Sequence, residues 1–218
     1  MGPEDLPFVV AEHRAHFPEG FFARLGPRYL AAYTRTYLSS PHALAYIAEA
    51  DGLPVGFLVG VTDPPAHREH VMHTHGRALA LRAGAALCVR PGLALHFLRT
   101  RLGRYTRTLR PGRKGREAEQ TGLSAPPDGT TAVLAHVVIV ERVRSLGLGS
   151  ALVTRFVQEA AAAGCARASL VTSAGGEGAG RYYEQLGWHC AGETRTPEGR
   201  LLMTYVLPLR NQPQGPAQ

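Results

Sequence analysis

The sequence predicts a mixed α/β fold of α+β-like character: a central, mostly antiparallel sheet, flanking helices and a helical insertion. Two apolar runs, 43–49 and 55–62, close around Asp51-Gly52 and read as a β-hairpin. An apolar strand at 131–140, a helical pattern at 147–163 and a second strand at 167–173 form a strand–helix–strand unit, which requires a parallel pair in the sheet. Between these stretches, residues 64–128 turn basic and helical, and read as an insertion between two strands.

The chain has 218 residues and 44% hydrophobic content, enough to bury one sizeable core. The expectation is a single domain over 1–210, with 211–218 a disordered tail. Net charge is +7, with Lys114 the only lysine, so the basic character is almost all arginine. Such a balance favours anionic partners. Cys88, Cys165 and Cys190 are odd in number and fit neither a disulfide framework nor a zinc site. With no signal-peptide pattern in "MGPEDLPFVV", a reduced, cytoplasmic setting is expected. The apolar stretch 78–98 is broken by Arg82, Arg90 and Pro91, so no membrane span is expected.

The elements follow in order. Residues 8–39 read as helical, with Phe21, Phe22, Leu25, Tyr29, Leu30, Tyr33 and Tyr37 at three- and four-residue spacing. Gly26-Pro27 divides them, and proline suits the opening of the second helix. After the hairpin come two basic amphipathic helices, broken at Arg90-Pro91-Gly92, and a tail at 111–129 with little apolar content. On the helix at 147–163, Leu148, Leu152 and Phe156 form one stripe beside Val153 and Val157, and Gly164 suits a left-handed cap. A helix around 179–186 ends at Gly187. Two closing strands, about 188–194 and 200–207, read as antiparallel.

Chemistry concentrates where strand 131–140 meets its helix, at "RVRSLGLGS". A dinucleotide fingerprint would need a third glycine where Leu152 stands, and an acid near 169. A P-loop would need a lysine this segment lacks. What remains is R-x-x-G-x-G, with Arg144, Gly147 and Gly149, at a helix start where backbone N–H groups can meet an anion. A plain structural turn stays open on this segment alone.

This segment resembles the pyrophosphate loop of the GNAT superfamily of acyl-CoA-dependent N-acetyltransferases. "AGRYYEQLGW" (179–188) resembles that family's A-x-x-x-Y-E-x-L-G-F, at the right separation. The resemblance is tight over 131–207 and looser over 8–62. It implies acetyl-CoA as co-substrate, no metal, and acetyl transfer to a primary amine, of a small molecule or of a protein α-amine or lysine. A weakly catalytic acyl-CoA sensor or docking module is the reading from another class. It further implies that Arg144, Ser145, Leu146, Gly147, Leu148, Gly149 and Ser150 grip the pyrophosphate, with Arg142 near. The pantetheine arm would then lie along Val137, Val138 and Ile139, where a bulge splays the strand from 167–173. Tyr183 matches the family's general acid, with Tyr182 its neighbour and the candidate for the packed ring; on the residues alone both could simply fill the helix face.

The base stays open. His136 lies on the strand with a suitable intrinsic pKa, yet strict alternation puts it on the face opposite Val137, as a core histidine. Glu141, Glu177 and Glu193 are more distant candidates, and a water chain would need none of them. Phe21, Phe22 and Tyr33, with Phe17, are expected to wall the acceptor by resemblance. Two departures stand out: Ser145 replaces a glycine of the family loop, and Gly176 replaces an asparagine. Each weakens a hydrogen bond to the cofactor arm.

The insertion holds His67, Glu69, His70, His73 and His75, spaced as either a partial metal set or solvated side chains, and the latter is expected. The run Arg99, Arg101, Arg104, Arg107, Arg110, Arg113, Lys114 and Arg116 could meet nucleic acid. The stripe Leu93, Phe97, Leu98 and Leu102 could meet a membrane surface. The expectation is a helical flap packed on the domain, a small-molecule amine as partner, no nucleic acid, and possible homodimerisation.

Overall fold

In the computed structural model, residues 1–90, 92, 94–95, 130–175, 179–196 and 199–209 are described. The expected second insertion helix, with its arginine run and apolar stripe, the 111–129 stretch, Gly176, Glu177 and 211–218 lie outside them.

A 3₁₀ turn, Pro3–Asp5, leads into α1 (Leu6–His16), α2 (Phe21–Arg24) and α3 (Pro27–Ser39). The expected helical stretch is thus broken twice. Gly26, at φ 104°, admits the turn before Pro27, which opens α3 where its missing N–H costs nothing. The unforeseen break is at Phe17, which ends α1 at φ −126°, ψ 52° ahead of Pro18. Proline disfavours helical backbone in the residue before it.

The hairpin is β1 (Ala43–Ala50) and β2 (Leu53–Val61), turned through Asp51 (φ 52°) and Gly52 (φ 71°), a left-handed pair of the I′ kind. Helix α4 (Pro64–Cys88) follows, its first turn capped by Asp63, whose carboxylate accepts from the Ala66 amide at 3.0 Å. Then come β3 (Thr131–Ile139), a 3₁₀ segment (Glu141–Leu146), α5 (Leu148–Ala162), β4 (Arg167–Ser173), α6 (Gly180–Gln185), β5 (His189–Arg195) and β6 (Leu201–Pro208). Gly164, at φ 80°, takes the left-handed cap predicted for it after α5.

The described strands form one sheet in the order β1-β2-β3-β4-β6-β5. Only β3–β4 is parallel; the other neighbours are antiparallel, as the strand–helix–strand reading required. Sequence order did not disclose that β6 would sit between β4 and β5.

The sheet is covered on both faces. On one face, Leu152, Val153 and Phe156 of α5 pack with Ala132, Leu134, Leu170, Tyr183 and Trp188. Phe156 is wholly buried, and a Cβ on Gly60 would stand 2.5 Å from its ring, so β2 needs glycine there for α5 to dock. On the other face, Val9 and Tyr37 meet Phe57, Val59, Val61, Val133 and Val138. The inner stripe of α4, with Leu79, Ala83, Ala86 and Leu87, joins Leu25 and Tyr29. Met72 and Leu81 of the same helix are exposed. Arg90 fastens the end of that helix by donating to the Arg24 carbonyl.

Candidate active site

The cleft begins with a bulge. In β3, Leu134 pairs with Gly60 and His136 with Val59, so Ala135 has no partner on β2. Side-chain parity inverts across it. Before the bulge Ala132 and Leu134 face α5; after it Val137 and Ile139 do, and Val138 turns to the α1 side. Pairing with β4 stops at the same level, since Leu134↔Leu170 is the last matched pair. Beyond it the two strands part, leaving the β4-facing backbone edge of Val137, Val138 and Ile139 without a strand partner in the sheet.

That parting is the floor of a cleft of about 380 Å³. Its walls include Val137, Ile139, Val171 and Thr172, with Arg144, Gly147, Gly149 and Ser150 at one end and Tyr182 and Tyr183 opposite. His16, Phe17 and His136 close the α1 side.

The end of the cleft at α5 is made largely by backbone. Gly147 takes φ 75°, ψ 2°, ending the 3₁₀ segment and starting α5 in one left-handed step that a side chain resists. No side chain caps α5, so its first N–H groups are left for a ligand, with the positive end of the helix dipole behind them. Gly149 gives these amides room. Arg144 stands beside them, donating from Nε to the Ile139 carbonyl at 3.2 Å and reaching His16 Nε2 from Nη2 at 3.0 Å. Glu141 Oε1 lies 3.6 Å from Arg144 Nη1. The donor set suits an anion that can take several N–H bonds at once, as a diphosphate does.

Not every side chain expected in that grip lines the cleft. Ser145 and Leu146 are exposed on the outside of the 3₁₀ segment, and Leu148 packs against the core. Arg142 borders a shallower depression with Glu12, Ala15 and Glu141. A 3₁₀ turn splays consecutive side chains, so sequence adjacency to the glycines did not place them in the cleft.

The two tyrosines of α6 divide in a way sequence order did not specify. Tyr183 is only 4% exposed and packs with Trp188 at 5.8 Å and Tyr205 at 6.3 Å between ring centroids. Burial raises its phenol pKa well above the ordinary value of 10, with Tyr182 adding to the shift. Tyr182, half-buried, instead points its hydroxyl at the α5 terminus, 3.4 Å from Ser150 Oγ.

On the α1 side the bulge turns His136 against His13, with ring centroids 4.5 Å apart, and against Phe17 at 5.1 Å. Burial lowers the His136 pKa to about 3, with a small push from His13, and the His13 pKa to about 4. Both imidazoles are therefore neutral near pH 7, and His136 is a poor store for a proton. It lines the cleft all the same.

The aromatic residues expected to wall the acceptor sit elsewhere. Phe22 lies against Tyr33 at 4.3 Å and Tyr29 at 5.7 Å, and Phe21 and Phe22 join the α4 stripe. Phe21, Phe22 and Tyr33 are absent from the cleft lining; Phe17 and His16 are the residues that α1 contributes. The break at Phe17 turns the chain there, which is why its ring reaches β3. His70 and His75 both approach Ser39 Oγ, at 3.4 and 2.8 Å, and His67 stacks on Tyr37. Among the described residues no set of three or more His, Cys, Asp or Glu is arranged to hold a metal, and no helix is long and apolar enough to cross a membrane.

Residues 115–188, which include β3, α5, β4 and α6, match the Acetyltransferase (GNAT) family. The matched residues are those that build the slot. No curated protein matches the chain. Solved structures share the GNAT fold across nearly its whole length. An aminoglycoside 6'-N-acetyltransferase complexed with coenzyme A aligns at TM-score 0.56 and 14% identity, covering 98% of this chain and 95% of its own. The ribosomal-protein-S18-alanine N-acetyltransferase of Escherichia coli aligns at TM-score 0.52 and 15% identity, over 100% and 96%. An N-acetyltransferase from Staphylococcus aureus Mu50 aligns at TM-score 0.57 and 14% identity, over 96% and 96%. At these identities the likeness is one of fold.

Proposed function

We propose that this protein is a GNAT acetyltransferase that moves an acetyl group from acetyl-CoA to a primary amine of a small molecule. One observation carries the reading. The free edge of β3 at 137–139 runs directly to the uncapped start of α5 at Gly147–Ser150. An amide-bearing arm ending in a diphosphate fits that path, pairing like an added strand while its phosphates meet helix N–H groups. Acetyl-CoA supplies the activated acyl group; this chain's residues hold and orient it.

In the proposed chemistry Arg144, Gly147, Gly149 and Ser150 bind the anionic end. Tyr183, held protonated by burial, gives its proton to the departing thiolate. The same burial that makes its ionisation costly also raises the affinity of a thiolate for a proton, so the two costs largely offset. His136, neutral, accepts a hydrogen bond from the amine and aligns its lone pair; the proton leaves through water at the cleft mouth. Phe17 and His16 border the acceptor.

The solved aminoglycoside acetyltransferase favours a small-molecule acceptor, whereas the ribosomal-protein-alanine enzyme supports a protein α-amine as the second reading. Thiol release from acetyl-CoA, measured across small amines and N-terminal peptides, tests both. Faster turnover of peptides overturns the first reading. Tight coenzyme A binding without turnover on any amine points to an acyl-CoA sensor.

A further inference from the structure

Tyr182 and Tyr183 are neighbours on a helix of six residues, so their side chains leave it about 100° apart. Tyr183 goes into the core. Tyr182 cannot follow, and its ring lies edge-on to Tyr183 at 5.2 Å between centroids. Its hydroxyl arrives at the first turn of α5, 3.4 Å from Ser150 Oγ. A Cβ on Gly149 would stand 3.1 Å from that same hydroxyl and 3.5 Å from Ile139 Cγ1. The second glycine of the loop therefore makes room for a tyrosine as well as for backbone approach.

We propose that Tyr182 is a cofactor-binding residue: its hydroxyl, paired with that of Ser150, donates a hydrogen bond to the diphosphate of acetyl-CoA. The proposal rests on the acetyl-CoA reading above. Two O–H groups this close at an uncapped helix start can both turn towards one anionic oxygen, adding side-chain donors to the amides of 148–150. Hydrogen bonds to a charged group are the stronger kind, and losing one leaves the ligand's charge less well solvated. The arrangement also separates two tasks on one short helix. The hydroxyl of Tyr182 serves the phosphate end, and Tyr183 serves the thiol end.

Calorimetry on wild type, Tyr182→Phe, Ser150→Ala and the double variant, titrated with acetyl-CoA, tests this. Tyr182→Phe is expected to raise Kd roughly tenfold. The double variant should lose less than the product of the two single losses, because both hydroxyls serve one group. Thiol release from acetyl-pantetheine, which lacks the diphosphate, should fall at least fivefold less than release from acetyl-CoA. Gly149→Ala, whose methyl displaces the Tyr182 hydroxyl, should weaken acetyl-CoA binding in the same direction. A Kd for Tyr182→Phe within twofold of wild type overturns the proposal, as does an equal loss with acetyl-pantetheine, which would mark a packing role. Wild-type protein that takes up no acetyl-CoA overturns the acetyltransferase reading, and this proposal with it.

Discussion

The two sides of β3 are built by different means. Towards α5 the proposed ligand site is mainly main chain: a strand edge that loses its partner after Leu134, a left-handed glycine at 147 and a helix with no side-chain cap. Towards α1 it makes a wall from rings, with His13, Phe17 and His136 in mutual contact and Phe22, Tyr29 and Tyr33 holding the neighbouring helices. A backbone site needs particular residues at fixed spacing and tolerates much else. A ring wall needs only volume and shape, which many sequences supply. The first kind of site accepts a cofactor common to a family; the second is free to differ from protein to protein.

The difference can be tested from both sides. Tyr183→Phe should have the largest effect, lowering kcat for thiol release by about 10²–10⁴-fold; turnover within threefold of wild type would remove this residue from the chemistry. Phe156→Ala, beneath the cofactor side, should cost about 3–5 kcal/mol in urea denaturation, because its ring is wholly buried against β2. A cost below 1 kcal/mol would mean that α5 is not docked as described.

The ring wall has a pH signature. His13 and His136 have folded pKa values near 4 and 3, below the unfolded value of 6.5. The unfolded chain therefore binds protons first as pH falls. Their stabilising contribution is intact above about pH 6.5 and is lost progressively towards about pH 3, on the order of several kcal/mol together. Denaturation midpoints measured from pH 7.5 to 4.5 should fall, and His13→Gln should flatten the slope. An unchanged slope would contradict the burial of His13.

Arg144→Ala should weaken coenzyme A binding about tenfold, with the loss shrinking at high salt. Equal binding by variant and wild type in low salt would take Arg144 out of the anion grip. The smallest effect is expected at Phe22→Ala, on the half-buried contact under α4: roughly 1–2 kcal/mol, seen as faster proteolysis within 64–88. If cleavage there is unaltered, some contact other than the Phe22 cluster holds that helix.

Much of the cofactor side was legible from residues alone. Gly147 and Gly149 announced a special backbone at a strand–helix junction, and "YYEQLGW" lay where the resemblance required it. The apolar spacing of α5 predicted its buried face, with Leu152, Val153 and Phe156 inside. The acceptor side was less legible. Phe21, Phe22 and Tyr33 carry the right chemistry for a wall, yet they pack on α4, an element whose position depends on the insertion. The signal that could have found Phe17 was Pro18, which ends α1 just where a ring can turn inward.

Residue order alone showed most of the helices and strands, the parallel β3–β4 pair and the backbone character of the turn at Gly147, because spacing and glycine act locally. Packing alone placed the expected bulge at Ala135, put β6 between β4 and β5 and parted Tyr182 from Tyr183. Those depend on which neighbour fills the space beside a residue, and that is settled by packing between segments far apart in the chain.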